Sequence, residues 1–252
     1  MTGQALPSKQ LPVLEIIRTG WQAFARSPWM FVGFTLIGGI ANLIAQGIQE
    51  QANTNLQLSS GPFAFWILIA LVGVVLNVIA SLWMNIGLFR GAWKSLAGQK
   101  PAWIDFLRWD SQAMRRLFLM ALLLFGINIL ILIVAGLAGG LLSMIRLELS
   151  LLPLIAGALV IIYVAVTQMF HLPLVVAKGE APLQAFKSGR GAIDPQFWRL
   201  LGFGVLMLVI SLVGLLIFGV GLLVAAPVVV CSLVAAYQHL FDREDNTGFL
   251  NV

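Results

Sequence analysis

Charged residues are scarce in this chain, and none lies in the middle of a long apolar run. Asp, Glu, Lys and Arg make up 10% of 252 residues, against ~25% in soluble domains. That shortage excludes a soluble globular fold. The lack of ionisable groups at depth also argues against a pump or ion-coupled transporter, because such machinery keeps charges where they act despite their cost. A passive pathway stays open. Cysteine occurs once, as Cys231 inside an apolar run, so one chain can form neither a disulfide nor a thiolate metal site; the residue reads as a small apolar core group. The motifs HExxH, GxSxG and the phosphate loop are missing, as are paired carboxylates within the apolar runs, and we expect neither an enzyme nor a cofactor or metal site. Met1 to Pro12 lack the basic-then-apolar order of a signal peptide, so no cleavage is expected.

What is abundant is apolar sequence. Hydrophobic residues reach 60% and the mean hydropathy is +0.97. At ~20 residues per crossing, six spans emerge: about Trp29 to Gln49, Phe63 to Gly91, Leu117 to Leu137, Leu149 to Val176, Phe197 to Phe218 and Leu222 to Phe241. Ser27-Pro28 and Asp110-Ser111 are helix starts. Gln46 to Gly61, ending in Gly61-Pro62, reads as a surface turn, and Asp242 to Val252 as a disordered tail. Trp21, Trp29, Trp66, Trp103, Trp109 and Trp198 fall near span ends, as an aromatic belt requires. The expected fold is an all-α polytopic membrane bundle, a single membrane domain over 1–252.

Before the first span, Val13 to Ser27 places Val13, Ile16, Ile17, Trp21 and Phe24 on one side and Glu15, Arg18, Thr19, Gln22 and Arg26 on the other. A helix of that pattern lies in the headgroup plane near anionic lipid, or packs outside the membrane on the protein's own loops. The order of amphipathic helix, aromatic residue and paired spans returns from Pro101 and again from Pro182. This gives repeat-like units of about 12–100, 101–177 and 178–241, followed by the tail 242–252. Each unit crosses twice, so the copies share one orientation, unlike inverted-repeat transporters. Of 15 Lys and Arg, all but Arg146 fall on one side. The positive-inside rule makes that side cytoplasmic, with both termini there. This placement also explains the formal charge of +5 without nucleic acid.

Uncharged polar residues are the candidates for a route. Gly73, Asn77, Ser81 and Asn85 recur every four positions along one stripe. Asn128, Gln168 and His171 fall within or near later spans. These residues either line a cavity or hydrogen-bond between helices. His171 precedes Pro173, whose ring cannot donate to the Met169 carbonyl, so the helix kinks or opens there. The histidine is a ligand, a proton carrier or a structural group, with no acidic partner nearby in sequence. Gly87/Gly91 and Gly136/Gly140 are GxxxG pairs that let helices approach. The candidates for lipid or partner contact are Arg18, Trp21, Arg26, Lys187 and Arg190.

The segments FHLPLV from Phe170, APLQAFKS from Ala181, GLLVAAP from Gly221 and AAYQHLF from Ala235 resemble a set of uncharacterised bacterial six-span proteins. That set is related in pattern to the membrane domain of some glycerophosphodiester phosphodiesterases. Gly87-Leu88-Phe89-Arg90-Gly91 and Asp105-Phe106 fit loosely. The resemblance implies a six-helix bundle in the bacterial plasma (inner) membrane and brings no agreed activity. Where those relatives have a catalytic domain this sequence shows the tail 242–252, so their phosphodiesterase activity is not expected to carry over. The expected function is non-catalytic: cytoplasmic-side amphipathic helices engage anionic phospholipid, a membrane protein partner or a second copy, for assembly, organisation or envelope maintenance. The alternative is a passive carrier or channel for a small amphiphile or lipid.

Overall fold

The computed structural model describes residues 11–58, 61–217, 219–241 and 245–249, and among them every regular element is helical. In order these are α1 (Val13–Ala25), α2 (Pro28–Gln57), α3 (Phe63–Leu96), α4 (Trp103–Leu107), α5 (Ser111–Ser143), α6 (Leu151–Thr167), α7 (His171–Val176), α8 (Pro182–Ile193), α9 (Phe197–Leu216) and α10 (Leu222–Phe241). Short 3₁₀ turns precede α6 and α9. Among the described residues, six segments are long and apolar enough to cross a membrane. Their apolar side chains are largely uncovered: only 6% of the most hydropathic window of α3 is buried, and 11% of that of α5. Faces so apolar and so bare need hydrocarbon as solvent. The protein is a multi-pass membrane protein.

The helix starts follow local chemistry. Pro28 and Pro182 occupy first turns, where the missing N–H is no loss. The Asp110 carboxylate accepts from the backbone N–H of Ala113 at 2.9 Å, the N-cap bond expected at that site. Ser27 works differently. Its carbonyl accepts from Met30 and Phe31 at 3.1 and 3.3 Å, and its hydroxyl makes no cap.

The helices run further than hydropathy suggested. Instead of turning at Gln46, α2 continues to Gln57. After Gly47 the chain meets no glycine or proline until Gly61-Pro62, and Gln, Ala and Glu are content in helix. Gly61 then takes φ +95, a left-handed conformation that glycine adopts without strain. The fourth span is interrupted. α6 stops at Thr167 and α7 starts at His171, which puts the break one turn before Pro173, where its ring removes the bond to Met169.

The helices gather into two compact units. One joins Leu14–Met114 to Val209–Ala235; the other joins Arg115–Leu208 to the described residues before Leu14 and after Ala235. The borders fall inside α1, α5, α9 and α10 and not at the repeat borders near 100 and 177.

In the first unit α2 and α3 lie side by side over much of their length. Phe31, Gly38, Ala45 and Ala52, all buried in α2, recur every seven residues and form the seam expected of such a pair. Gly73 allows the approach: a Cβ there would lie 2.9 Å from the Gln49 backbone nitrogen. Gly87 and Gly91 serve another purpose. They leave space for Phe106 of α4, which is fully buried and packs on Phe31 and Phe34 with ring centroids 5.1 and 5.3 Å apart. Around Gly136 and Gly140 nothing lies within 4 Å of an added Cβ, so that GxxxG pair brings no helix close among the described residues.

The second unit holds a core of Phe170, Tyr237 and Phe241, the last two stacked at 5.1 Å. The tail corrects an expectation. Over 245–249 it is docked: Asn246 donates to the Ala177 carbonyl at 3.0 Å, the Thr247 hydroxyl to Val176 at 2.8 Å, and Phe249 is buried. These bonds satisfy carbonyls at the end of α7 that no intrahelical donor reaches. Lys9 and Arg243 of the charge count, and Phe218 at the expected end of the fifth span, lie outside the described residues.

Candidate functional site

The polar stripe of α3 is engaged by protein, Ser81 across to α2 and Asn85 within α3. The Ser81 hydroxyl donates to the Asn42 side-chain oxygen at 2.8 Å, and Asn42 donates back along α2 to Gly38 at 2.9 Å. The Asn85 amide reaches the Ser81 carbonyl at 2.8 Å, while Asn77 is half-buried on the same stripe. An amide bonded to a carbonyl one turn back has spent one N–H on its own helix.

Asn128, Gln168 and His171 do come together. With Leu124, Val164 and Met169 they line a recess of about 180 Å³ in the second unit. Their donors are turned into the protein. Asn128 donates to Leu124 at 2.8 Å, Gln168 to Phe186 of α8 at 3.1 Å, and His171 Nδ1 to the Gln168 carbonyl at 2.7 Å. The His171 bond closes the helix break and the Gln168 bond ties α8 to it, while the Asn128 bond stays within α5. Gly189 makes the approach of α8 possible, since a Cβ there would lie 2.8 Å from the Thr167 carbonyl oxygen.

Charged groups are concentrated where α3 meets α4. The Arg90 guanidinium is buried; it donates to the Asp105 and Arg108 carbonyls at 3.2 and 3.3 Å and stands 3.7 Å from the Asp110 carboxylate. Lys94 meets Asp105 at 2.6 Å, and the other Asp105 oxygen accepts from Ala102 at 2.8 Å. A guanidinium offers five donors in a rigid fork, so Arg90 holds the C-terminal half of α4 and the residues just after it, while the Asp105 carboxylate holds the N-terminal end through Ala102. This cluster is a fastening. Among the described residues no group of three His, Cys, Asp or Glu is placed to hold a metal ion.

The five basic and aromatic candidates separate into two kinds. Arg26 donates to the Ser95 carbonyl, and Ser95 donates to Ala23 at 2.5 Å, so Arg26 secures the end of α1. Arg190 pairs with Asp194 at 3.3 Å, and Asp194 accepts from the Tyr163 hydroxyl at 2.7 Å; that trio braces α8 against α6. Lys187 is exposed on α8. Arg18 and Trp21 alone share a larger feature.

That feature is a groove of about 660 Å³ walled by three helices of the first unit. From α1 come Leu14, Ile17, Arg18 and Trp21; from α9 and the residue just after it Ile210, Val213, Gly214 and Ile217; from α10 and the residue just before it Gly221, Val224, Ala225 and Val228. Each set has the spacing i, i+3, i+4, i+7 and forms one stripe of its helix over two turns, ~10 Å. Glycines bring the walls together. A Cβ on Gly214 would sit 2.7 Å from that of Ala225, and one on Gly221 would sit 2.9 Å from the Gly214 Cα. Arg18 is the only charged residue in the lining and joins no ion pair among the described residues.

Sequence reasoning found Arg18 and Trp21 and missed the α9 and α10 walls. In helices apolar on every side a stripe has no contrast, and only Gly214 and Gly221 hinted at a close crossing. No family model, curated protein or solved structure matches the chain.

Proposed function

We propose that this is a non-catalytic multi-pass protein of the plasma membrane whose three short helices α1, α4 and α8 belong to its cytoplasmic side, α4 and α8 riding the surface and α1 set deeper, with Gly20 against Ser232 of α10. Each precedes a membrane hairpin and engages anionic phospholipid or a membrane protein partner, in assembly, organisation or envelope maintenance. The observation that carries the reading is repeated in all three. Leu14 (79% exposed), Ile104 (69%) and Leu183 (59%) stand uncovered on α1, α4 and α8, with Arg18, Arg108 and Lys187 four residues further along each helix or just past its end. A large bare apolar group beside a cation suits the boundary between acyl chains and acidic headgroups. Each Lys or Arg near an anionic leaflet adds ~1 kcal/mol. The one-sided distribution of Lys and Arg supports a cytoplasmic setting for these helices and for both termini.

The test is recovery in mild detergent of the wild type and of R18Q/R108Q/K187Q, with bound lipids and proteins identified together. The reading predicts several-fold less anionic phospholipid or partner with the triple variant at equal yield of folded protein. An unchanged lipid and protein complement, with unchanged growth of the host, contradicts it.

A further inference from the structure

We infer that the recess between α5, the end of α6 and His171 binds one uncharged lipid through a free hydroxyl, which donates to His171 Nε2 beside the Asn128 amide. This goes beyond the reading of the short helices and does not rest on it, since no charged residue lines the recess.

The lining side chains lie at one depth. α5 and α6 run antiparallel: a Cβ on Gly139 would lie 3.2 Å from the Ser150 carbonyl oxygen, and one on Gly157 would lie 2.8 Å from that of Ala135. Carried on, that pairing sets Leu124 and Asn128 of α5 level with Val164 and Gln168, as the recess requires. Its space of about 180 Å³ opens where α6 has stopped and α7 has yet to begin. Ala165 in the lining is exposed and belongs to a membrane-crossing segment, so the mouth faces hydrocarbon.

Hydrogen-bond accounting sets the ligand. A carbonyl only accepts, so the 2.7 Å bond between His171 Nδ1 and the Gln168 carbonyl keeps the proton on Nδ1 and leaves a lone pair on Nε2. Asn128 spends one N–H on Leu124 and retains its oxygen and its second N–H. Among the described residues neither His171 Nε2 nor the Asn128 oxygen has a partner, and neither is sealed inside the protein. Lipid tails offer no donor, and an unmet polar group facing them is costly. A hydroxyl meets both needs, giving its proton to Nε2 and accepting the spare amide N–H. An ammonium or phosphate would enter with no counter-charge in the lining, at the cost of leaving water unpaired. The apolar walls, Leu124, Val164, Ala165 and Met169, suit the carbons next to the hydroxyl. The volume is close to that of the ~150 Å³ cavity that takes up benzene, so the recess holds a head of a few carbons while the chain stays in the bilayer.

The full-length protein in nanodiscs would be irradiated with a long-chain alcohol carrying a diazirine near its hydroxyl, and the adducts mapped by mass spectrometry. Adducts are expected on the recess walls, roughly five-fold fewer with the methyl ether of the same alcohol, as loss of one hydrogen bond implies, and fewer also with the matching carboxylate and ammonium. H171N keeps an N–H for the Gln168 carbonyl and removes Nε2, so it should lower labelling by the alcohol to the level of the ether and leave labelling by the ether unchanged. A165W plugs the mouth with every polar atom in place and should abolish recess adducts. Excess dioleoylglycerol should compete, and excess glycerol should not. Equal labelling by alcohol and ether in the wild type, adducts spread evenly over all spans, stronger labelling by either charged analogue, or competition by glycerol alone overturns the proposal. R18Q/R108Q/K187Q should leave the recess adducts unchanged, so the two readings stand or fall separately.

Discussion

A Cβ on Gly20 would lie 2.7 Å from the backbone nitrogen and Cα of Ser232, so α1 rests against the midpoint of α10 at a separation only glycine allows. The buried side of α1, Ile16, Gly20, Ala23 and Phe24, is therefore spent on protein, and the face bearing Leu14, Arg18 and Trp21 remains for another partner.

Replacing Gly20 by alanine should force these helices apart, at about 1–3 kcal/mol for overfilling a close contact. Gly39 is the control, since it is helical with nothing within 4 Å, and G39A should be neutral or slightly stabilising. Thermal unfolding in detergent distinguishes the two. Equal midpoints for G20A and G39A would contradict the contact.

Phe106 and Gly91 form a second such pair, the ring of one filling the space left by the other. F106A should cost about 3–5 kcal/mol, as truncation of a fully buried phenylalanine does. G91A should be severe in the native background and much milder combined with F106A, because the clash then has no object. Additive losses in this double-mutant cycle would show that the two residues do not meet.

The buried Arg90 predicts a local effect. R90A leaves the Asp105 and Arg108 carbonyls and the Asp110 carboxylate without their shared donor. Breaking one partner of a buried charged cluster costs about 3–5 kcal/mol. Loosened from α3, α4 should expose Arg108, which is half-buried in the native fold, so trypsin should cut there faster in R90A than in wild type, with K94M between them because Lys94 is partly exposed. Identical digestion of all three proteins would contradict the fastening role.

Much of this architecture was legible in the sequence, and the reasons are particular. Span positions follow from hydropathy, and the starts at Pro28, Asp110 and Pro182 follow from chemistry confined to a few residues. Lengths were less readable, since nothing in Gln46 to Gln57 forbids helix and nothing demands it. The two GxxxG pairs show the limit best. Gly87/Gly91 and Gly136/Gly140 are alike as text, yet only the first faces a bulky residue, and that residue, Phe106, belongs to another element. Of the polar candidates, Ser81 and Asn85 found partners inside the helices, whereas Asn128, Gln168 and His171 met because the break before Pro173 redirects the chain. The tail lacked any strong pattern, and its docking depends on carbonyls of α7 exposed by tertiary structure. The groove was hidden because apolar stripes on wholly apolar helices leave no trace.

The proposed topology has six crossings with Lys94 and Lys187 on one side of the membrane and Arg146 on the other. The most direct measurement is labelling of single cysteines, K94C, R146C and K187C, by a membrane-impermeant maleimide in sealed vesicles of known orientation. The native Cys231 is fully buried and should stay silent. The account predicts that K94C and K187C react from the cytoplasmic face only and R146C from the opposite face only. K94C and K187C reacting from different faces, or R146C sharing theirs, would contradict it.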